Sequence, residues 1–207
     1  MCGAGSARDG RFDARDGEAG LRQLEEDAAQ FGLKGVKLYT AEWKDGSRGW
    51  KLSDPEAQPY FEKCIELGIT HIHVHKGPTI WPLDKDAFDV SDVDKVATRY
   101  QELNFIVEHV GLPRIEDFCF MATQERNVYA GLAVVIGGLM HARPRFFAKV
   151  MGELLFWVGE EKMTFGTPAF TAALCSRSTR PGPPPHASTA RPPQNLYLPF
   201  TLKAWRP

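Results

Sequence analysis

Five short runs with the character of half-buried or buried strands begin near residues 34, 69, 104, 127 and 162, and helical periodicity fills the stretches between them. The intervals are 35, 35, 23 and 35 residues, the size of one strand–helix unit. Alternation of this kind predicts an α/β chain on a parallel sheet, because parallel neighbours need a crossover that a helix supplies.

Start and stop signals sharpen the reading. A helix is predicted from Gly17 to Phe31, with Leu21, Leu24, Ala28 and Phe31 on one face, Glu25, Glu26 and Asp27 on the solvated face, and Gly32 as its stop. A strand follows at Gly35 to Tyr39. Ser53-Asp54-Pro55-Glu56 opens a second helix, which carries Tyr60, Phe61, Cys64, Ile65 and Leu67 to a stop at Gly68. Next come a strand from Ile69 to His75, a helix from Ser91 or Asp92 to Leu103, and a strand from Asn104 to Glu108. A short helix near Pro113 to Thr123 and a strand from Asn127 to Ile136 follow. Pro144 then opens an apolar helix with Phe146, Phe147, Val150, Met151, Leu154, Leu155 and Val158, and Lys162 to Gly166 reads as the last strand.

Five such units fit either a doubly wound sheet or part of a (β/α)8 barrel. No GxGxxG or GxxxxGK[ST] follows any strand, which removes the usual support for a dinucleotide or nucleotide site and favours the barrel. The longest uncharged apolar run, Val128 to Met140, has 13 residues, against the roughly 20 of a spanning helix, and reads as buried sheet. Cys2, Cys64, Cys119 and Cys175 show no CxxC spacing and no apolar signal stretch opens the chain, so the expected compartment is the cytoplasm.

The net charge of −1 conceals two regions. From Pro168 onward there are Arg177, Arg180, Arg191, Lys203 and Arg206, no acid, and 9 of the 15 prolines, leaving −6 on residues 1–167. An acidic body without a basic stripe argues against a nucleic-acid partner. The tail, 168–207, with Pro181-Gly182-Pro183-Pro184-Pro185 and Arg191-Pro192-Pro193, is expected to be disordered because it has too little apolar surface to offset chain entropy. Residues 1–10 read as a short leader.

The segment Gly68-Ile-Thr-His-Ile-His-Val-His-Lys-Gly77 is the richest in chemistry. Alternation along a strand puts His71, His73 and His75 on one face and Ile72 and Val74 on the other. In a parallel barrel the C-terminal strand ends form the active face, and there His75 precedes Lys76-Gly77. Imidazole suits zinc-like metals, and a strand end fixes its direction. The next strand repeats the placement in Asn104-Phe-Ile-Val-Glu-His109-Val-Gly111, so two imidazoles are expected at one rim. His71 and His73 are expected to lie deeper, satisfied by hydrogen bonds.

Taken together, Gly32-Leu-Lys-Gly-Val-Lys-Leu-Tyr39, Asp54-Pro55 with Tyr60-Phe61, Val74-His-Lys-Gly77, Val107-Glu-His-Val-Gly111 and Met163-Thr-Phe-Gly-Thr167 give the chain a resemblance, over residues 11–167, to the amidohydrolase-related family. That group of metal-dependent barrels includes aminocarboxymuconate-semialdehyde decarboxylase. The resemblance implies a partial TIM barrel, about strands four to eight, with His75 as a metal ligand and His109 as a catalytic acid/base or second-metal residue. It implies a divalent metal cofactor, zinc by ligand type, a small-molecule substrate, and hydrolysis or carboxy-lyase chemistry. The family's first-strand His-x-His pair has no counterpart before Gly17, and Gly166-Thr167-Pro168 stands where the family has Gly-Thr-Asp. The expectation is therefore a fragment of such a barrel. A non-catalytic truncated barrel and a small-molecule-binding α/β protein are the alternatives, and uncovered sheet edges lead to the expectation of a homo-oligomer.

Weaker signals complete the reading. Lys37 suits a salt-bridged barrel lysine better than a carboxylated metal bridge. Glu42-Trp43 and Trp50 either line a substrate pocket or cap the barrel. His141, Arg143 and Arg145 form either a solvated helix entrance or a site for an acidic substrate group.

Overall fold

A computed structural model of the chain describes residues 11–40, 49–77, 84–133 and 135–165. Within them six strands form one parallel sheet in sequence order: β1 (Arg11–Phe12), β2 (Gly35–Leu38), β3 (His71–His75), β4 (Asn104–Glu108), β5 (Val128–Gly131) and β6 (Met163–Thr164). The crossovers hold α1 (Gly17–Phe31), α2 (Gln58–Glu66), α3 (Ser91–Arg99), α4 (Ile115–Gln124), the single turn α5 (Met140–Ala142) and α6 (Pro144–Trp157). A chain in which each strand pairs with the one before it and the one after it is the topology of a barrel segment, not of a doubly wound sheet, whose order reverses.

The glycine stop of α1 acts as read, whereas neither Asp54 before the next turn nor Ala57 before α2 makes a side-chain cap bond. Gly32 ends α1 in the left-handed conformation, φ 62°, with its N–H bonded to the Ala28 carbonyl. Pro55 lies in a 3-10 turn, Pro55–Ala57, that feeds α2, and Asp54 accepts a hydrogen bond from the Lys51 N–H at 2.8 Å. The face of α1 is rotated from the expected one: Gly20, Leu24 and Asp27 are buried, while Phe31 is 55% exposed. Gly20 admits the Tyr60 hydroxyl, which a Cβ there would clash with, and Asp27 accepts from Gln23 Nε2 at 3.0 Å.

Two strands depart from expectation. β1 is a two-residue strand, too short for a period-2 pattern to register, and adds a sixth strand through pairing with Lys37 and Leu38. β5 ends at Gly131 and does not continue to Ile136. The Leu132 N–H reaches the Thr164 carbonyl at 3.0 Å, and Val135–Leu139 winds into a π turn before α5. Apolar runs of this length are ambiguous between strand and buried helix, and Gly137 and Gly138 add no strand preference.

Burial alternates along the sheet. Val36, Leu38, Ile72, Val74, Phe105, Val107, Val128 and Ala130 join one core with Leu24, Tyr60, Phe61, Val93, Phe118, Val150 and Leu154 of the helices. Facing pairs such as Phe61 and Phe105, rings 5.7 Å apart and edge-on, fill it. Leu155, Phe156 and Trp157 on α6 stay half to three-quarters exposed. Among the described residues no helix is long and apolar enough to cross a membrane. The expected leader, the segment 168–207, Glu42-Trp43 and Gly166-Thr167-Pro168 lie outside the described residues.

Candidate functional site

Register places the site. His75 pairs with Glu108 across β3 and β4, and Lys37 pairs with His73 across β2 and β3, so all four stand on the sheet face opposite the core. His75 closes β3 and His109 begins the turn after β4, and the two rings meet edge to face with centroids 4.8 Å apart. Tyr39, just beyond β2, also meets the His75 ring, centroids 4.7 Å apart and tilted by 44°. Thr40 Oγ1 donates to the His75 carbonyl at 3.1 Å, fixing the strand end below the ring.

The backbone that presents His109 is unusual. His109, Val110 and Gly111 have φ of 69°, 48° and 66°, three successive left-handed residues of which two are not glycine. For a β-branched residue such as Val110 this is a strained conformation, and such strain of about 1–3 kcal/mol per residue collects at functional sites. Gly77, φ 141°, passes close by: a Cβ there would lie 3.3 Å from the His109 Cβ. Gly77 thus permits the close approach of the two turns, and Gly111 makes room for Val90.

Electrostatically the pair is kept neutral. His75 and His109 are 7% and 8% exposed. Burial, then the neighbouring His109, then the Lys37 and Lys76 charges push His75 down to about 3, against a weaker opposing pull from Glu108. Burial and the Lys37 charge push His109 down to about 4. His75 Nε2 and His109 Nδ1 are buried without a hydrogen-bond partner. Unpartnered polar atoms of this kind are uncommon in a folded interior and leave each ring a nitrogen available to a ligand.

Beneath them lies a carboxylate that the sequence reading did not single out. Glu108 Oε1 bonds His73 Nδ1 at 2.8 Å and lies 4.0 Å from Lys37 Nζ. Burial raises the Glu108 carboxyl, and the His73 hydrogen bond and the Lys37 charge outweigh it, leaving the group below the usual carboxylate value. Gly131 of β5 makes room, since a Cβ there would come within 3.2 Å of Glu108 Oε2. Lys37 is therefore the salt-bridged lysine expected. His73 is hydrogen-bonded as expected but half-exposed, and His71, expected deeper, is exposed at the N-terminal end of β3, bonded to Thr70 Oγ1 at 2.9 Å. His71 lies off the helix-covered face, as the exposed first residue of β3.

Trp50 is 5% exposed and lines a cleft of about 240 Å³ with Lys51, Asp54, Asp84, Asp86 and Ala87. His141, Arg143 and Arg145 are exposed, and Arg143 stacks on Phe146 at 4.7 Å, a solvated helix entrance.

The sequence profile of the amidohydrolase family matches residues 5–203. The chain belongs to the amidohydrolase family. A comparison with curated protein sequences finds no significant match. Among solved structures the chain is similar to an uncharacterized TIM-barrel protein from Bordetella bronchiseptica, TM-score 0.59 and 16% identity, covering 83% of this chain and 59% of that one. It is also similar to an amidohydrolase from Burkholderia multivorans, TM-score 0.50 and 15% identity, covering 74% of this chain and 58% of that one. The amidohydrolase chain thus spans under two thirds of these barrels, and the likeness shows a shared TIM-barrel fold.

Amidohydrolases generally depend on divalent metals, and the donor chemistry here fits one: neutral imidazoles with free buried nitrogens are good ligands. The donor count does not fit. Among the described residues no three His, Cys, Asp or Glu side chains converge to hold a metal ion, whereas catalytic zinc sites use three protein ligands. Glu108 is already committed to His73 and Lys37.

Proposed function

We propose that this chain carries the strand-end histidine pair of an amidohydrolase centre acting on a small-molecule substrate. The proposed reaction is hydrolysis of a C–N or ester bond, or loss of CO2 from a carboxylated ring or diene. His75 is assigned as a donor to a divalent metal, zinc by ligand type, and His109 as the group that moves a proton. The observation that supports this most is the pair itself: two buried, neutral rings 4.8 Å apart, each with an unpartnered nitrogen, one of them on strained backbone. Burial and the Lys37 charge hold the His109 imidazole neutral, so at neutral pH it is in the unprotonated form that a base requires. The proposed compartment is the cytoplasm, which suits the free, buried Cys64 and Cys119.

The missing third donor favours a second reading, a non-catalytic partial barrel. Zinc titration of the purified chain, followed by elemental analysis and assays on cyclic amides, lactones and carboxylated aromatics, separates the two. The amidohydrolase reading expects His75→Ala to lower zinc content. It expects His109→Ala to retain the metal and lose rate by roughly 10²- to 10⁴-fold. Equal zinc content in His75→Ala and wild type overturns the assignment of His75, and a wild-type chain without zinc uptake or turnover leaves the non-catalytic reading.

A further inference from the structure

Directly after His75 comes a lysine with no solvent exposure at all. Lys76 Nζ donates to Asp92 Oδ2 at 2.8 Å and to the Ala87 carbonyl at 3.1 Å, and lies 2.7 Å from Asp92 Oδ1. Its side chain and that of Asp92 are 0% and 3% exposed. The same Asp92 Oδ2 accepts the Leu52 N–H at 2.7 Å. At the backbone, the Lys76 N–H reaches the Glu108 carbonyl at 3.3 Å and the Gly77 N–H the Phe88 carbonyl at 3.1 Å.

These bonds converge from separate pieces of chain. Residues 49–54 follow β2, where the Trp50 N–H also bonds the Thr40 carbonyl at 3.0 Å, and residues 84–87 follow β3. They are the two walls of the 240 Å³ cleft, and each is bonded to the Lys76–Asp92 pair, one through Leu52 and the other through Ala87. Both walls belong to loops at the C-terminal end of the sheet, the end at which His75 sits.

We propose that Lys76 and Asp92 are positioning residues: their buried ion pair holds the two walls of the Trp50 cleft at a set separation and ties both to the His75 strand end. Any bearing of this positioning on catalysis by the histidine pair rests on the function proposed above, whereas the positioning itself does not. A buried ion pair is a poor way to gain stability, since well-packed apolar replacements are often neutral or better, so its directional bonds are its contribution. A buried lysine serving only as filler would not need Leu52 and Ala87 bonded to the same two groups.

The test uses the full chain without added metal or substrate. Lys76→Met/Asp92→Leu replaces the pair by apolar groups of similar size, and amide hydrogen exchange and His75 ring resonances are followed by NMR. Positioning predicts that Ile72 and Val107 exchange as in wild type. The Leu52 amide, its acceptor gone, should exchange roughly ten- to hundredfold faster, and the His75 ring signals should move. Wild-type exchange at Leu52 with unmoved His75 signals overturns the proposal. If the double variant does not fold, Asp92→Asn reads the same amide: the acceptor of the Leu52 N–H loses its charge, an NH2 takes the place of one carboxylate oxygen beside the Lys76 ammonium, and Leu52 should exchange faster by a smaller factor. Unchanged exchange there overturns the proposal too. Because neither readout needs zinc or turnover, failure of the amidohydrolase reading in its metal titration remains distinguishable from failure here.

Discussion

On one face of β3 and β4, Ile72, Val74, Phe105 and Val107 are fully buried against the helices. On the other, His71, His73 and His75 go from exposed through half-exposed to 7% exposed toward the strand's C-terminal end, where Glu108 and His109 join them. The same strands thus carry an apolar face that holds the fold and a polar face whose burial grows in the direction of the site. The helix-side face is uniform because any apolar side chain of the right volume serves there. The polar face is graded because each buried nitrogen or oxygen needs a partner, and at its upper end two of them have none.

The comparison breaks first if the helix-side face is not where stability resides. Phe105→Ala removes a fully buried ring that meets Phe61 edge-on and should cost about 3–5 kcal/mol in urea unfolding. His73→Ala, across the sheet with a side chain 38% exposed, should cost about 1 kcal/mol, the net worth of its bond to Glu108. Similar costs at the two positions would show that the faces do not divide the work in this way.

Acid should act on the opposite face. His75 and His109 are held at about 3 and about 4 in the folded chain, below the ordinary 6.5, so between pH 6.5 and 4 the unfolded chain binds protons that the folded chain refuses. Stability from this source is complete above pH 6.5 and falls with pH by up to about 1.4 kcal/mol per pH unit for each histidine. The lowered Glu108 adds a further loss only below its ordinary value of 4.5. His75→Gln, measured by urea unfolding in the presence of EDTA, should therefore halve the slope between pH 6 and 4.5. A wild-type stability flat across that window would contradict the neutral pair.

How much of this was legible in the sequence follows the same division. The helix-side face was readable because period and caps report burial directly: α1 and β4 have the limits that Gly17, Gly32, Asn104 and Glu108 suggest. The two rim histidines were readable because each stands at the C-terminal end of a strand, two residues before a glycine. Glu108 was missed although it sits beside His109, because its role comes from pairing across β3 and not from its own neighbours in sequence. Lys76 read only as the residue after His75, and Asp92 only as a possible first residue of a helix, since nothing local shows that a charge 16 residues away neutralises each. The expected length of β5 failed for another reason: an apolar run with β-branched residues serves a strand or a π turn equally well, and the backbone bonds of Leu132 and Ile136 decide it.

The smallest expected effect tests whether His109 is held by strained backbone. At φ 69° an alanine lies in the left-handed region, which costs an ordinary residue about 1–2 kcal/mol, whereas asparagine populates it with less penalty. His109→Asn and His109→Ala both lose the ring and its contact with His75, so their difference isolates the backbone. His109→Asn should be the more stable by about 1 kcal/mol, a rise of a few degrees in Tm. At His73, in the extended backbone of β3, the same two substitutions should not favour asparagine, which is depleted in strands. If asparagine and alanine rank alike at both positions, the turn after β4 carries no strain, and the strand end presents His109 without any conformational cost.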